Sequence, residues 1–166
     1  MHLSSNYSEA PIDKRTRCLL VHDHKVLVLI RDFGKEKTLL LPGGGIDPGE
    51  NSLESVRREL VEELDFFCSR PPTLFYTHQQ VRPIFAEEKE WFIGKEYVHD
   101  YFDFYFLKLQ PEDLGRIRVL QSEHEKFIDW GFVPFSSLVD YAEKHNAKLG
   151  IGILAAVDLY LMRFDR

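Results

Sequence analysis

The chain has 166 residues, 44% apolar and 29% charged, which is an ordinary globular balance with enough material for a buried core. Its formal charge of −6 argues against a polyanion-binding surface, because nucleic-acid affinity without sequence preference comes from clustered Lys and Arg. Two cysteines, Cys18 and Cys68, make neither a disulfide framework nor a zinc spacing, and the longest apolar run, residues 149–157, is too short to span a bilayer.

Residues 1–13 are polar and lack the apolar core of a secretory signal, so they are read as a leader to one domain over residues 14–166. A soluble, cytoplasmic protein is the expectation. Residues 17–21 and 25–31 are β-rich runs around His22-Asp23-His24, the pattern of a hairpin. A short buried strand is predicted over residues 38–41, ending at Pro42-Gly43-Gly44-Gly45, where unusual backbone freedom is needed. Asn51 and Glu54 form a box-like cap on a helix whose stripe is Leu53, Val56, Leu60 and Leu64. Longer strands are predicted over residues 73–81 and 97–109. The second is dense with aromatics and therefore central and buried on both faces. Residues 87–90 read as a solvated hairpin tip. A strand around Trp130 and two helices, 136–145 and 151–164, close the chain. The apolar side of the last helix, with Ile151, Ile153, Leu154, Val157 and Leu161, suits either packing on the sheet or a homodimer face. Together these elements predict an α/β fold with a mixed sheet and helices on both sides.

The stretch over residues 44–66 carries the chemistry. It reads Gly44, five residues, Glu50, seven residues, then Arg58-Glu59-Leu60-Val61-Glu62-Glu63-Leu64-Asp65-Phe66. At about 100° per residue, Glu59, Glu62 and Glu63 share one arc of the helix beside the apolar stripe. Three carboxylates so placed repel one another unless cations neutralise them, and hard Mg²⁺ or Mn²⁺ suits oxygen ligands. Such spacing arises by chance in on the order of one chain in a million.

These residues resemble the Nudix box, G-x5-E-x7-R-E-U-x-E-E-x-G-U, with Asp65 standing where the family usually has glycine. That glycine ends the helix, often at positive φ, and Asp tolerates such a conformation better than most residues. The resemblance implies a Nudix-like α/β/α sandwich and a Mg²⁺-dependent hydrolase, with Mn²⁺ as the alternative ion. Its substrate would be a small nucleotide-like molecule containing a diphosphate linkage. Glu59, Glu62 and Glu63 would bind the ions with a carbonyl near Gly43 or Gly44, while Glu50 would orient the helix and Glu59. Arg58, four residues before Glu62, would hold the carboxylates by ion pairs. The general base would be a box carboxylate or one from a later loop, where Glu123 and Glu125 are the candidates.

Arg31 and Arg82 are candidate phosphate ligands, as are the backbone amides at Gly44 and Gly45. Tyr76, Trp91, Phe92 and Tyr97 offer either a stacking face for a base or ordinary packing. The family's subclass marks do not fit. A proline about fifteen residues after the box is expected for ADP-ribose, and here Val81 occupies that place, with Pro83 nearest. The tyrosine associated with dinucleoside polyphosphates is absent from its window, as is the NADH-type array. Two alternatives stay open: a ligand-binding module without turnover, usually marked by lost box glutamates, and RNA-end hydrolysis. The net charge disfavours the latter, although Lys14-Arg15-Arg17 forms a small basic patch.

Overall fold

Apolar side chains alternate between two faces in the first hairpin, and both faces are covered in the computed structural model, which describes residues 9–34, 36–122 and 126–165. In β1 (Ile12–His22), Leu19 and Val21 enter one core while Cys18 and Leu20 enter the other. In β2 (Lys25–Asp32), Val26, Val28 and Ile30 alternate with Leu27 and Leu29 in the same way. Burial on both sides explains why these strands read as unbroken apolar runs. Asp23 and His24 turn the hairpin at φ 50° and 57°, the left-handed pair that matches strand twist.

The chain continues through β3 (Lys37–Leu40), β4 (Gly43–Gly45), α1 (Ser52–Leu64), β5 (Thr73–Pro83) and β6 (Tyr97–Lys108). It then forms α2 (Pro111–Leu114), β7 (Phe127–Pro134), α3 (Leu138–Lys144), β8 (Ala147–Leu149) and α4 (Ile153–Arg163). The sheet runs β5-β6-β1-β2-β3-β8, with β4 joined to β1 and β7 to β2. It is mixed: β1 pairs in parallel with β6 and β3 with β8, while the other pairs are antiparallel. Helix α1 covers one face through Val56, Leu60 and Leu64, and α3 and α4 cover the other through Leu138, Ile153, Val157 and Tyr160. The result is the α/β/α sandwich expected from the sequence. One side of α4 packs on the sheet, while Leu154 and Met162 stay exposed. Strand β6 was expected at the centre and instead lies second in the order, between β5 and β1, but it is buried on both faces, sending Phe102 and Phe104 to one core and Tyr105 and Leu107 to the other.

Both ends of α1 are closed locally. Glu54 N–H donates to Asn51 Oδ1 (2.9 Å), and Asn51 N–H donates to Glu54 Oε2 (3.0 Å). At the other end Asp65 adopts φ 49°, ψ 34°, so its N–H reaches Val61 O and that of Phe66 reaches Leu60 O. The left-handed residue is thus the aspartate that replaces the box glycine.

Three features differ from the sequence reading. Strand β1 starts at Ile12, inside the stretch read as leader, because Ile12 and Asp13 pair with His99 and Asp100. β8 occupies what was read as a connection between the closing helices, and α2 was not anticipated. What matters for the site is where β1 and β2 separate. They pair only beside their turn, at Val21↔Val26 and His22↔Lys25. Further along, β1 is taken up by β4 (Arg15↔Gly45, Arg17↔Gly43), while β2 continues with β3 and β7. A cleft opens where they part.

Replacing Asp65 with glycine relieves a left-handed L-residue, worth up to about 1 kcal/mol, and surrenders only a 4.0 Å contact to exposed Arg118. We expect Asp65→Gly to melt at or up to about 4 °C above the wild type. A clear fall in melting temperature would assign Asp65 a role of its own.

Candidate active site

One glycine lets β4 lie against β1, and the next lets α1 approach β4. Gly43 has φ 148°, and a Cβ there would fall on the Thr16 carbonyl oxygen; a Cβ on Gly44 would fall inside the Glu59 carboxylate. The freed space is filled by acid. Gly43 N–H donates to Glu63 Oε1 at 3.2 Å, and Glu59 lies against Gly44. Both glutamates are buried and both line the cleft. Helix geometry explains the choice of pair, since residue 63 returns to within about 40° of residue 59 while residue 62 falls about 60° to the other side.

Glu62 therefore sits at the rim, its side chain 56% exposed, and joins the others through Arg58. That guanidinium uses all five of its N–H groups. Nε and Nη2 grip Glu50 at 3.1 and 2.7 Å, and Nη1 donates to Glu59 at 2.9 Å and Glu62 at 3.1 Å. The remaining Nη2 hydrogen goes to the Gly45 carbonyl at 2.9 Å. Glu50 is fixed further by the Asp47 N–H at 2.7 Å. The Arg58 fork, helped by that amide, holds the Glu50 carboxyl down at about 2, and Arg58 itself is pushed above the usual arginine range, chiefly by Glu50.

Arg17 approaches the same carboxylates from the sheet. Its side chain is buried, and burial together with neighbouring Arg15 lowers the guanidinium to about 10, against the opposing pull of Glu63 and Glu59. Arg15, Arg17 and Arg31 line the carboxylate end of the cleft and also an adjoining cavity. Phe85, Trp91 and Phe102 give that cavity its apolar walls. Arg31 lies 4.4 Å from the centre of the Phe33 ring.

One wall comes from the excursion between β5 and β6. Residues 87–90 were expected as a solvated tip, but Glu88 is buried and accepts two bonds from Arg82, at 2.7 and 2.8 Å. Arg82 also binds fully buried Asp100 at 2.7 and 3.2 Å. Burial works against the charges of this group, yet the bonds prevail: Arg82 is raised and Glu88 lowered. Phe85 lies between Arg82 and Lys148, each 4.1 Å from its ring centre. Lys148 in turn binds Glu36 and Glu87, both at 2.7 Å. Arg82, read as a phosphate ligand, thus touches the cavity while its N–H groups hold the wall.

The structure brings together Glu50, Arg58, Glu59, Glu63, Gly43, Gly44, Gly45 and Arg31, with Glu62 on the rim. Glu123 and Glu125 lie outside the described residues. Among the described residues no three carboxylate, imidazole or thiol groups converge as they stand into a metal-holding set. The donors that do face the cleft, Glu59 and Glu63 beside the backbone of Gly43 and Gly44, are all oxygen and suit a hard divalent ion. Sequence reasoning did not single out Arg15 and Arg17 as a pair for the site. Their i, i+2 spacing on a strand, which places both on one face, was the available signal. Thr38, Phe85 and Lys148 had no such signal.

Gly44→Ala is expected to displace Glu59 and lower divalent-ion affinity and any metal-dependent activity about 10- to 100-fold, with an unchanged circular dichroism spectrum. Glu50 yields a pH prediction. Its folded value, about 2, lies below the ordinary 4.5, so its bridge stabilises the ionised form. The stability advantage over Glu50→Gln is expected to be full above about pH 5 and to shrink as pH falls from 4.5 toward 2. Urea midpoints across that range measure it, and an advantage that grows on acidification would contradict the assignment.

The NUDIX domain model matches residues 11–151. The fold is similar to that of a MutT NUDIX hydrolase from Burkholderia pseudomallei, at 20% identity and TM-score 0.61, covering 89% of this chain and 97% of that one. The dihydroneopterin triphosphate pyrophosphohydrolase of E. coli is 14% identical with TM-score 0.62, covering 92% of this chain and 95% of its own. An Ap4A hydrolase from C. elegans is 15% identical with TM-score 0.56, covering 90% and 96%. No curated protein sequence matches. At such identities the structural likeness establishes the fold alone. The domain model spans most of the chain, over the same strands and helix that assemble the cleft, and on that ground the chain belongs to the NUDIX family.

Proposed function

We propose that this chain hydrolyses a phosphoric anhydride bond in a nucleotide-like small molecule, with Mg²⁺ as its cofactor. The observation that carries this reading is the continuity of the cleft: carboxylates at one end, three arginines along it, an aromatic-walled cavity at the other. Such a sequence of surfaces suits an acid-bound cation, a run of phosphates and a ring. Glu59 and Glu63 would hold the ion with Glu62 and a glycine-strand carbonyl; when bound it would neutralise the phosphates and make the attacking water more acidic. Arg15, Arg17 and Arg31 would bind phosphate oxygens and keep the reacting bond in line. Glu50 and Arg58 are positioning residues that act through Glu59 and Glu62. Water adds to one phosphorus as the bridging P–O bond breaks, giving a nucleoside monophosphate and the remaining phosphorylated group. No helix of the described residues is long and apolar enough to cross a membrane.

The test is a panel of nucleoside triphosphates and nucleoside diphosphate derivatives with and without Mg²⁺. We expect turnover that EDTA stops. The pair Glu62→Gln with Glu63→Gln should bring it below about a tenth of wild type while melting and circular dichroism are preserved. Binding without turnover of any compound, or turnover in EDTA, would overturn the proposal.

A further inference from the structure

Thr38 is the unexplained polar group of the cavity. It is 5% exposed and lines the cavity, yet its hydroxyl has no hydrogen-bond partner. Leaving a buried hydroxyl unmatched forfeits its hydration with nothing in return. The contrast with Thr16 is direct: that residue, also buried, meets Ser55 Oγ at 3.4 Å. The strand registers place Thr38 opposite Arg31 on β2 and Lys148 on β8, so the residue stands in a row between two cations on one face of the sheet. Arginine and lysine carry only hydrogen-bond donors, so a ring edge set between these two side chains is favoured where it presents an acceptor oxygen and disfavoured where it presents the hydrogens of an amino group.

We propose that this cavity selects a planar ring bearing a carbonyl oxygen, and that Thr38 donates its hydroxyl hydrogen to that oxygen. The ligand class is an oxo-ring nucleotide as opposed to an amino-ring one. A turn about Cα–Cβ exchanges the methyl and hydroxyl positions between staggered wells and brings the donor to the cavity surface. The ring rests on Phe102, Phe85 and Trp91, and its phosphates run toward Arg17 and the carboxylates. The inference rests on the reading of the cleft as a nucleotide site.

Inosine and adenosine triphosphates are the probes, because they differ at the ring edge by a carbonyl against an amino group. Equilibrium binding in EDTA, where no turnover is expected, should favour inosine triphosphate by about tenfold. Thr38→Val should abolish most of that preference by weakening the inosine nucleotide alone, with a melting temperature no lower than wild type. Thr38→Ser should keep it. Equal affinities in the wild type, or a valine variant that weakens both ligands alike, would overturn the inference. Hydrolysis of both nucleotides in Mg²⁺ separates the two claims. Turnover without preference removes the role of Thr38 and leaves the hydrolase; preference without turnover does the reverse.

Discussion

The Arg58 guanidinium is the constraint on which the site depends. It binds Glu50, Glu59, Glu62 and the Gly45 carbonyl at once, joining the glycine strand, the loop before α1 and two turns of the helix. Its value lies more in geometry than in stability. Partly exposed ion pairs contribute at most about 1 kcal/mol each, and side chains packed this closely would otherwise repel. A planar fork with five directed hydrogens fixes the orientation of every carboxylate it touches, which a lysine ammonium does not. Arg17 closes the arrangement from the sheet side. Glu59 and Glu63 are left facing the cleft between two cations, neither of which fills it.

At the other end a different balance holds. Arg82, Asp100 and Glu88 are buried together, and in such groups desolvation rivals the attraction. What they secure is shape: the excursion after β5 folds back so that Phe85 and Trp91 wall the cavity. Losing Arg82 alone would strand two carboxylates at a cost of about 3–5 kcal/mol. The wall is therefore an all-or-none feature of the fold, further fastened by Lys148 to the loop that holds Glu36.

Much of this was legible in the residues, for identifiable reasons. The cap at Asn51, the helical stripe and the hairpin turn are local patterns, and each is met where the sequence placed it, while the glycines, read as a flexible turn, pair with β1 as a short strand. The family's box was readable with Asp65 in it because its charged positions have fixed spacing. Glu62 was less legible: sharing an arc with Glu59 does not settle which side chains turn inward, and the helix leaves Glu62 at the rim, where Arg58 ties it to the others. Glu88 looked solvated because its partner Arg82 is six residues away and Asp100 lies on another strand. β8 is three residues long, too short for periodicity, and exists because β3 offers an open edge. Thr38 is an ordinary strand residue until the cavity around it is seen.

Arg15 and Arg17 sit two residues apart on one strand, and a strand rises about 3.3 Å per residue. Hydrogen-bonded to β4 on one side and β6 on the other, that stretch of β1 cannot lengthen or slide without breaking both ladders. The interval from acid end to ring end is therefore set by covalent geometry, and the sheet acts as a ruler. On the proposed reading, a ligand with a shorter or longer chain of phosphates would have to fold or stretch to satisfy both ends, and the cleft would discriminate by length as well as by charge.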